Sequence, residues 1–291
     1  MRVLVTGVTG QLGHDCVAEL KKRGHEAVGA VRREAAEGQI KLNLCDAGAV
    51  RAAVSDVDCV MHCAAWTNVD GAEDPANYET VREANVSATE TLAKACGEMG
   101  KKMIYISTDY VFDGQGTRPW EPDDKNFAPL NVYGKSKLDG ELAVEKYAKK
   151  FFVVRTAWVF GLNGKNFIKT MINVGKTHDT VRVVNDQIGT PTYTKDLARL
   201  LADMAESEKY GFYHATNEGG YISWYDFCCE FYRQYGLETK VIPVTTAEYG
   251  LSVAKRPYNS RLEKSKLRKA GFEPLPVWQD AVRRYLAEAK L

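Results

Sequence analysis

A tyrosine and a lysine four residues apart carry the groups that could move a proton to an oxygen atom. At this spacing Tyr133 and Lys137 share one face of a helix. An unperturbed phenol has a pKa of about 10, so we expect the Lys137 ammonium to favour the phenolate and ease proton transfer near neutral pH. Thr108 would hydrogen-bond a substrate oxygen beside Tyr133. The three side chains together predict reduction of a carbonyl, and an ordinary exposed helix pair is the alternative.

A glycine-rich turn near the start of the chain provides the context that this pair needs. Gly7, Gly10 and Gly13 are spaced G-x-x-G-x-x-G between an apolar run and a helical pattern. Residues without Cβ allow a tight turn and a close approach to a pyrophosphate, and the helix N-terminus supplies free N–H groups. The turn therefore predicts a dinucleotide site, with a plain strand-to-helix turn as the alternative.

The end of the second strand indicates which dinucleotide binds. An acidic residue there would hold the ribose of NAD, whereas an arginine favours the extra phosphate of NADP. The sequence places Arg32 and Arg33 at this point, with Glu34 after them. NADP(H) is therefore favoured, and NAD(H) is the alternative.

Apolar, β-rich runs alternate with helical patterns, which is typical of a parallel sheet with crossover helices. We predict an α/β chain with a Rossmann-like, doubly wound parallel sheet and a smaller, mostly C-terminal substrate-binding lobe. The dinucleotide-binding domain comprises residues 1–160 and 193–217, and the lobe comprises residues 161–192 and 218–291. The predicted strands are Arg2–Thr6, Glu26–Val31 and residues 42–46, 57–64, 102–107, 151–159 and 211–215. The predicted helices are Ala47–Ser55, Trp224–Tyr235 and residues 12–23, 81–99, 133–150 and 194–207.

Composition excludes several other classes of function. Lysine plus arginine and aspartate plus glutamate nearly cancel, for a formal charge of +1, so a nucleic acid or an anionic membrane is a poor partner. No apolar stretch approaches the roughly 20 residues that span a bilayer, and we expect a cytoplasmic protein. Seven cysteines without zinc-like spacing and five scattered histidines predict no metal site.

Longer motifs give the chain a recognisable pattern. The strings A-A-W-T-N-V-D (residues 64–70, with Glu73 after it), S-T-D-Y-V-F-D-G (107–114) and P-L-N-V-Y-G-K-S-K (129–137) accompany the glycine turn. Segments 155–160, 186–192 and 255–257 continue the match. Over nearly its whole length the chain resembles the extended short-chain dehydrogenase/reductases and, within them, the dTDP-4-dehydrorhamnose reductases.

This resemblance implies NAD(P)H-dependent reduction of the C4 keto group of dTDP-4-dehydro-β-L-rhamnose to dTDP-L-rhamnose. It assigns Thr108, Tyr133 and Lys137 to catalysis, with Tyr133 as the proton donor and Lys137 also on the nicotinamide ribose. The candidate substrate-binding residues are Val69, Thr108, Asp109, Tyr110 and Trp158. The candidate cofactor-binding residues are Gly7, Gly10, Gln11, Leu12, Gly13, Arg32, Asn43, Leu44, Ala64, Ala65, Trp66, Thr67, Tyr133 and Lys137.

The chain departs from the family pattern at three places, and two other functions stay open. Asn43 stands where relatives often carry an aspartate, and Trp66 replaces a tyrosine or histidine. Arg32 stands where some relatives carry an acidic residue. The alternatives are reduction of another 4-keto-6-deoxy sugar nucleotide and a non-catalytic regulatory or binding role. The sequence leaves both a monomer and a homodimer open.

Overall fold

Parallel strands with buried side chains form the centre of the computed structural model, which describes residues 1–291. Seven of the thirteen strands belong to this sheet, and the other six form three two-stranded pairs. The strands are Arg2–Thr6 (β1), Glu26–Val31 (β2), Gln39–Lys41 (β3), Cys59–His62 (β4), Lys102–Thr108 (β5), Lys150–Thr156 (β6), Val159–Phe160 (β7), Thr180–Val184 (β8), Ile188–Gly189 (β9), Thr192–Tyr193 (β10), Gly211–His214 (β11), Ile222–Ser223 (β12) and Lys240–Val244 (β13).

The order of the central strands creates a crevice at one edge of the sheet. The order is β11-β6-β5-β4-β1-β2-β3, and every neighbouring pair is parallel. The chain reverses its direction of winding between β1 and β4, where Thr6 lies opposite His62. Ligands of doubly wound sheets bind beyond the carboxyl ends of the strands at such a switch point. The predicted doubly wound fold is confirmed.

Helices cover both faces of this sheet. On one face α1 and α7 pack together, and on the other face α4 packs against α2 and α5. Side chains alternate along each strand, so Val3 and Val5 face α7 while Leu4 faces the α4 side. The helices are Gln11–Lys22 (α1), Ala47–Ser55 (α2), Tyr78–Arg82 (α3), Ala88–Met99 (α4), Val132–Tyr147 (α5), Phe167–Gly175 (α6), Thr194–Ala205 (α7), Trp224–Tyr235 (α8), Thr246–Tyr249 (α9), Ser265–Lys269 (α10) and Trp278–Glu288 (α11).

A separate core supports the three short strand pairs. It contains 14 buried residues, including Phe160, Phe227 and Trp278, and is rich in aromatic contacts. Helix α8, which the sequence left without a strand partner, packs on β8 and β13. Strand β11 returns to the central sheet and pairs with β6. The division into a dinucleotide-binding domain and a lobe stays our interpretation of these two cores.

Two elements differ from the sequence prediction. The third strand is Gln39–Lys41, paired with Gly29 to Val31, and not residues 42–46. The apolar residues there mislead because Leu42 is buried in a loop, and Asp46 is the N-cap of α2, accepting from Ala49 N at 3.0 Å. The helix predicted over residues 81–99 begins at Tyr78 and contains a π-helical segment, Glu83–Ser87, before α4.

Candidate active site

The start of α5 fixes the position of Tyr133 beside the carboxyl end of β5. Asn131 is the N-cap of this helix and accepts from Gly134 N at 2.7 Å. Glu73 accepts from the backbone N–H of Val132 at 2.8 Å. A Cβ on Gly134 would lie 2.4 Å from the Tyr110 carbonyl oxygen, so only glycine allows this close packing. The Glu73 side chain, the Asn131 cap and the close contact at Gly134 together hold the first turn of α5 against the segment after β5.

Thr108, Asp109 and Tyr133 form one hydrogen-bonded group at this edge. The Thr108 hydroxyl donates to Asp109 Oδ1 at 2.9 Å and accepts from Tyr110 N at 3.3 Å. The nearby Thr108 hydroxyl also acts to lower the pKa of the Tyr133 phenol. The Tyr110 and Tyr133 rings meet edge to face, 5.6 Å apart. The structure therefore brings the predicted hydroxyl, phenol and carboxyl groups together.

Asp109 carries an unusual carboxyl group for a position so deep in the protein. Its side chain is 2% exposed, and its Oδ2 atom has no hydrogen-bond partner. Burial raises the pKa of Asp109 to about 6, because desolvation outweighs the hydrogen bonds with Ser260 and Thr108. A free acceptor beside the phenol fits a ligand that brings a hydroxyl group.

Tyr133 does not have the lowered pKa that the sequence suggested. Burial raises the pKa of its phenol, and the neighbouring Asp109 carboxylate raises it further, while the Thr108 hydrogen bond opposes them. The Lys137 ammonium nitrogen lies over the Tyr105 ring, 4.1 Å from the centroid. That Lys137 loosens the Tyr133 proton stays a prediction. The phenol stays protonated, as a proton donor must be.

Lys137 lies one helical turn after Tyr133 and is 3% exposed. Burial lowers the pKa of its ammonium group to about 7, against the opposing charges of Glu141 and Cys63. The Tyr105 hydroxyl donates to the Lys137 carbonyl oxygen at 3.2 Å and anchors this turn of α5 to the sheet. Lys137 therefore changes its charge close to neutral pH.

The glycine turn has the geometry that a pyrophosphate requires. Gly7 has φ +68°, and a Cβ there would lie 2.7 Å from Ala64 N, while a Cβ on Gly13 would lie 2.3 Å from the Gly7 carbonyl oxygen. Helix α1 begins at Gln11 with no side-chain cap and no acidic residue in its first turn. Its unpaired N–H groups and positive dipole end fit an anionic ligand.

The candidate adenosine residues lie beyond β2 and β3. Arg32 follows β2 and is exposed, and Asn43 and Leu44 follow β3. Burial raises the pKa of the Cys45 thiol, and the charge of the Arg32 guanidinium opposes this rise. Arg32 and the loop that contains Asn43 and Leu44 follow two paired parallel strands, and their part in binding the adenosine end stays a prediction.

A buried asparagine that the sequence did not single out connects two parts of the site. Ala64, Ala65, Trp66 and Thr67 follow β4, and Asn85 Oδ1 accepts from Trp66 N at 2.7 Å. Asn85 Nδ2 donates to Ser136 Oγ on α5 at 2.9 Å. It lies in the π-helical segment, and such segments often mark functional sites. A polar amide within an otherwise helical, half-apolar pattern was the available signal.

Trp158 is the only residue other than glycine with a positive φ, +50°. Such strain is stored where the surrounding structure requires it, often at ligand sites. Its ring stacks on Trp224 at the start of α8, with centroids 3.9 Å apart and planes 18° from parallel. One face of Trp158 is thus covered, and a sugar would meet the remaining surface. Trp224 was missed because a tryptophan after an N-cap serine is equally typical of core packing. Val69, another candidate contact, is half-buried after β4.

No group of three or more His, Cys, Asp or Glu side chains is arranged to hold a metal ion. None of the helices has the length and apolar character needed to cross a membrane.

Known proteins place this geometry in a family. The family described as RmlD substrate binding domain matches residues 1–291. A dTDP-4-dehydrorhamnose reductase of Streptomyces griseus is 40% identical over 290 residues, covering 97% of this chain and 91% of that enzyme. The spore coat polysaccharide biosynthesis protein SpsK of Bacillus subtilis (strain 168) is 38% identical over 289 residues, covering 99% and 97%.

A solved structure agrees over the same length. The crystal structure of dTDP-4-dehydrorhamnose reductase from Bacillus anthracis str. Ames, in complex with NADP, superimposes with a TM-score of 0.90 at 35% identity and covers 99% of both chains. The chain belongs to the RmlD substrate binding domain family, together with the dTDP-4-dehydrorhamnose reductases.

Proposed function

We propose that this chain is an NADP(H)-dependent oxidoreductase that reduces the C4 keto group of dTDP-4-dehydro-β-L-rhamnose to give dTDP-L-rhamnose. The observation that carries the proposal is the protonated Tyr133 phenol beside Thr108, at the carboxyl end of β5 and on the same edge of the sheet as the glycine turn. The reductases among its relatives, which match nearly the whole chain, support the same reaction.

The residues at the switch point fit a dinucleotide. The uncapped N-terminus of α1 would bind the pyrophosphate with the N–H groups of Gln11, Leu12 and Gly13. Arg32, with Asn43 and Leu44, would bind the adenosine end, and the segment from Ala64 to Thr67 would line the nicotinamide end. When bound, the reduced nicotinamide supplies the hydride.

The side chains of this chain then manage the proton and the sugar. The substrate oxygen becomes more basic as the carbonyl is reduced, and Tyr133 donates its proton to it. Thr108 positions that oxygen, and Lys137 binds the nicotinamide ribose. Asp109 Oδ2, which lacks a partner within the protein, would accept from a sugar hydroxyl. Val69, Tyr110 and Trp158 would complete the sugar site.

NADP(H) is the cofactor that we favour, with NAD(H) as the alternative. Arg32 and Arg33 follow β2 directly, and no acidic residue stands at the end of that strand. The relative from Bacillus anthracis was solved with NADP. The cytoplasm as location, and a monomer or homodimer as assembly, stay part of this proposal.

The decisive experiment gives the purified chain dTDP-4-dehydrorhamnose with NADPH and, separately, with NADH. Loss of reduced nicotinamide absorbance measures turnover, and NMR of the product sugar identifies the configuration at C4. We expect dTDP-L-rhamnose, with a lower KM for NADPH than for NADH. A product epimeric at C4 would show that the chain makes a different sugar nucleotide, and no turnover with either cofactor would contradict reduction of dTDP-4-dehydrorhamnose.

A further inference from the structure

A buried ion pair lies directly behind the candidate catalytic lysine. Glu141 follows Lys137 by one helical turn, so Tyr133, Lys137 and Glu141 share one face of α5. Glu141 is 1% exposed and is bound by Arg155 of β6, whose side chain is also 1% exposed. Arg155 Nε donates to Glu141 Oε1 at 2.8 Å, and Nη2 donates to Oε2 at 2.7 Å.

The surroundings of Arg155 fix this pair in one orientation. Arg155 Nη1 donates to the Pro122 carbonyl oxygen at 3.1 Å. Three phenylalanine rings pack around its guanidinium, with centroids 4.9 to 5.3 Å from the central carbon. The neighbouring His214 ring is neutral, because burial lowers the pKa of its imidazole. The two-fold hydrogen bonding from the planar guanidinium therefore fixes the position of the Glu141 side chain.

We infer that Glu141, oriented by Arg155, is a positioning residue that keeps the Lys137 side chain charged at the active site. This inference rests on the proposed function, in which the ammonium binds the nicotinamide ribose. Neither residue of the pair is among the candidate ligand-binding residues, so both act through Lys137.

The groups around Lys137 show why its charge needs support. His62 on β4 is buried and neutral, since burial and the Lys137 charge lower the pKa of its imidazole to about 3. The Tyr105 phenol on β5 stays protonated because burial raises its pKa. The Cys63 thiol, after β4, and the Tyr133 phenol complete the set. Burial lowers the pKa of Lys137, and two groups oppose this change. Glu141 opposes it more strongly than Cys63 does.

The test replaces Glu141 by glutamine, which keeps the shape and removes the charge. The matched control is Glu145→Gln, one turn further along α5, where an exposed carboxylate pairs with Lys125. Protein labelled with [13C]lysine reports the titration of each ammonium group by NMR, and the signal missing in Lys137→Met belongs to Lys137. We expect the Lys137 midpoint to fall by about one pH unit in E141Q and to stay unchanged in E145Q.

The kinetic consequence has a defined sign. Lys137 is charged below its pKa, so activity is lost as the pH rises through that value. A lower pKa therefore shifts this loss to a lower pH. With a wild-type pKa of about 7, turnover of E141Q at pH 7 would fall about fivefold, because the charged fraction falls from about one half to about one tenth. A lasting defect at low pH, with an unshifted profile, would be the sign of a purely structural role and would overturn the inference.

Two further outcomes are separated by design. Glutamine leaves Arg155 unpaired, so a variant that does not fold is replaced by the double variant E141Q/R155M, which removes both charges. We expect a smaller fall of the Lys137 midpoint there, because the Arg155 charge, which opposes that of Glu141, is lost as well. An unchanged midpoint in the folded variant overturns the inference. A wild-type chain that shows no reductase activity would defeat the proposed function alone, because the NMR titration of Lys137 still decides the role of Glu141.

Discussion

Tyr133 is held in a state that suits donation of a proton rather than its removal. Burial and the Asp109 carboxylate raise the pKa of the phenol, and Thr108 opposes this rise with a hydrogen bond. A protonated phenol beside a carbonyl can neutralise the alkoxide that forms on reduction. At neutral pH the unliganded site is therefore set for reduction, and the reverse oxidation would first require loss of the phenolic proton.

Tyr133→Phe tests this role because it removes one oxygen atom and leaves the ring in place. We expect turnover to fall on the order of 10²-fold or more, since general acid catalysis is lost. The dissociation constant for NADPH should change little, because the phenol contributes little binding surface. Steady-state kinetics and fluorescence titration of NADPH measure the two effects, and near-normal turnover would contradict the assignment.

Asp109→Asn tests whether the buried Asp109 carboxylate destabilises the folded protein at neutral pH. The pKa of Asp109 is about 6 in the folded protein, above the unfolded value of about 3.9, so the folded state binds more protons between these values. Stability contributed by this group is present at low pH and is lost as the pH rises through 6, by up to about 3 kcal/mol. We expect D109N to unfold at higher urea concentration than wild type at pH 7.5, with the difference gone near pH 4.

The exposed carboxylate of Asp123 provides the control for that measurement. D123N should shift the urea midpoint little at either pH, because a surface ion pair contributes at most about 1 kcal/mol. Turnover of D109N should fall even where its stability rises, since the unpaired Oδ2 acceptor is lost. A D109N variant that is less stable than wild type at pH 7.5 would show that the carboxylate supports the fold.

At the scale of elements, the sequence predicts most where hydrophobic period and caps agree. Strands β1 and β2 and helices α2 and α8 have the predicted bounds, because each combines an apolar pattern with a clear boundary residue such as Asp46 or Ser223. The third strand fails because it is short and polar, and its position depends on pairing with β2. Local pattern carries no information on such pairing.

The candidate site shows the same limit. The motif residues Thr108, Tyr133 and the glycine turn meet at one edge because parallel strands end there, as the predicted topology requires. Asn85, Trp224 and Arg155 lie far from these motifs in sequence and contribute only through tertiary contacts. The raised pKa of Tyr133 could not be predicted for the same reason, since burial and Asp109 act through the folded structure.

The surroundings of two helical glycines predict opposite effects on stability when each is replaced by alanine. A Cβ on Gly97 would lie 1.9 Å from the Tyr147 carbonyl oxygen, so Gly97→Ala forces the two helices apart and should cost about 2 kcal/mol. Gly48 on α2 is exposed, and a Cβ there would meet Asp46 Oδ1 at an ordinary 3.5 Å. Gly48→Ala should be neutral or stabilise by up to about 0.5 kcal/mol. Urea unfolding compares them, and equal midpoints would refute the packing argument.

At the scale of the whole molecule, two sets of contacts join the predicted lobe to the predicted dinucleotide-binding domain. Asn163 Nδ2 donates to the carbonyl oxygens of Thr9 and Gly10, at 2.9 and 3.1 Å. Arg256 donates to both carboxylate oxygens of Asp70, at 3.0 and 2.7 Å. The first set touches the glycine turn, and the second lies beside the candidate sugar site. We therefore expect binding of each ligand to depend on the nearby set of contacts.

Asp70→Asn tests this coupling, because it weakens the second set while leaving the ligand-facing side chains in place. The Arg256 guanidinium lowers the pKa of Asp70, so the pair contributes stability above the unfolded pKa and loses it as the pH falls through the lower folded value. The pair is partly exposed, so unfolding should change by at most about 1 kcal/mol. We expect the KM for the sugar nucleotide to rise about fivefold with a smaller change in kcat, since the segment beside the sugar site loses its anchor. Asp203→Asn, whose arginine partner Arg23 lies on the same side of the crevice, is the matched control. Equal KM values for D70N and D203N would show that the pair has no part in holding the sugar site closed.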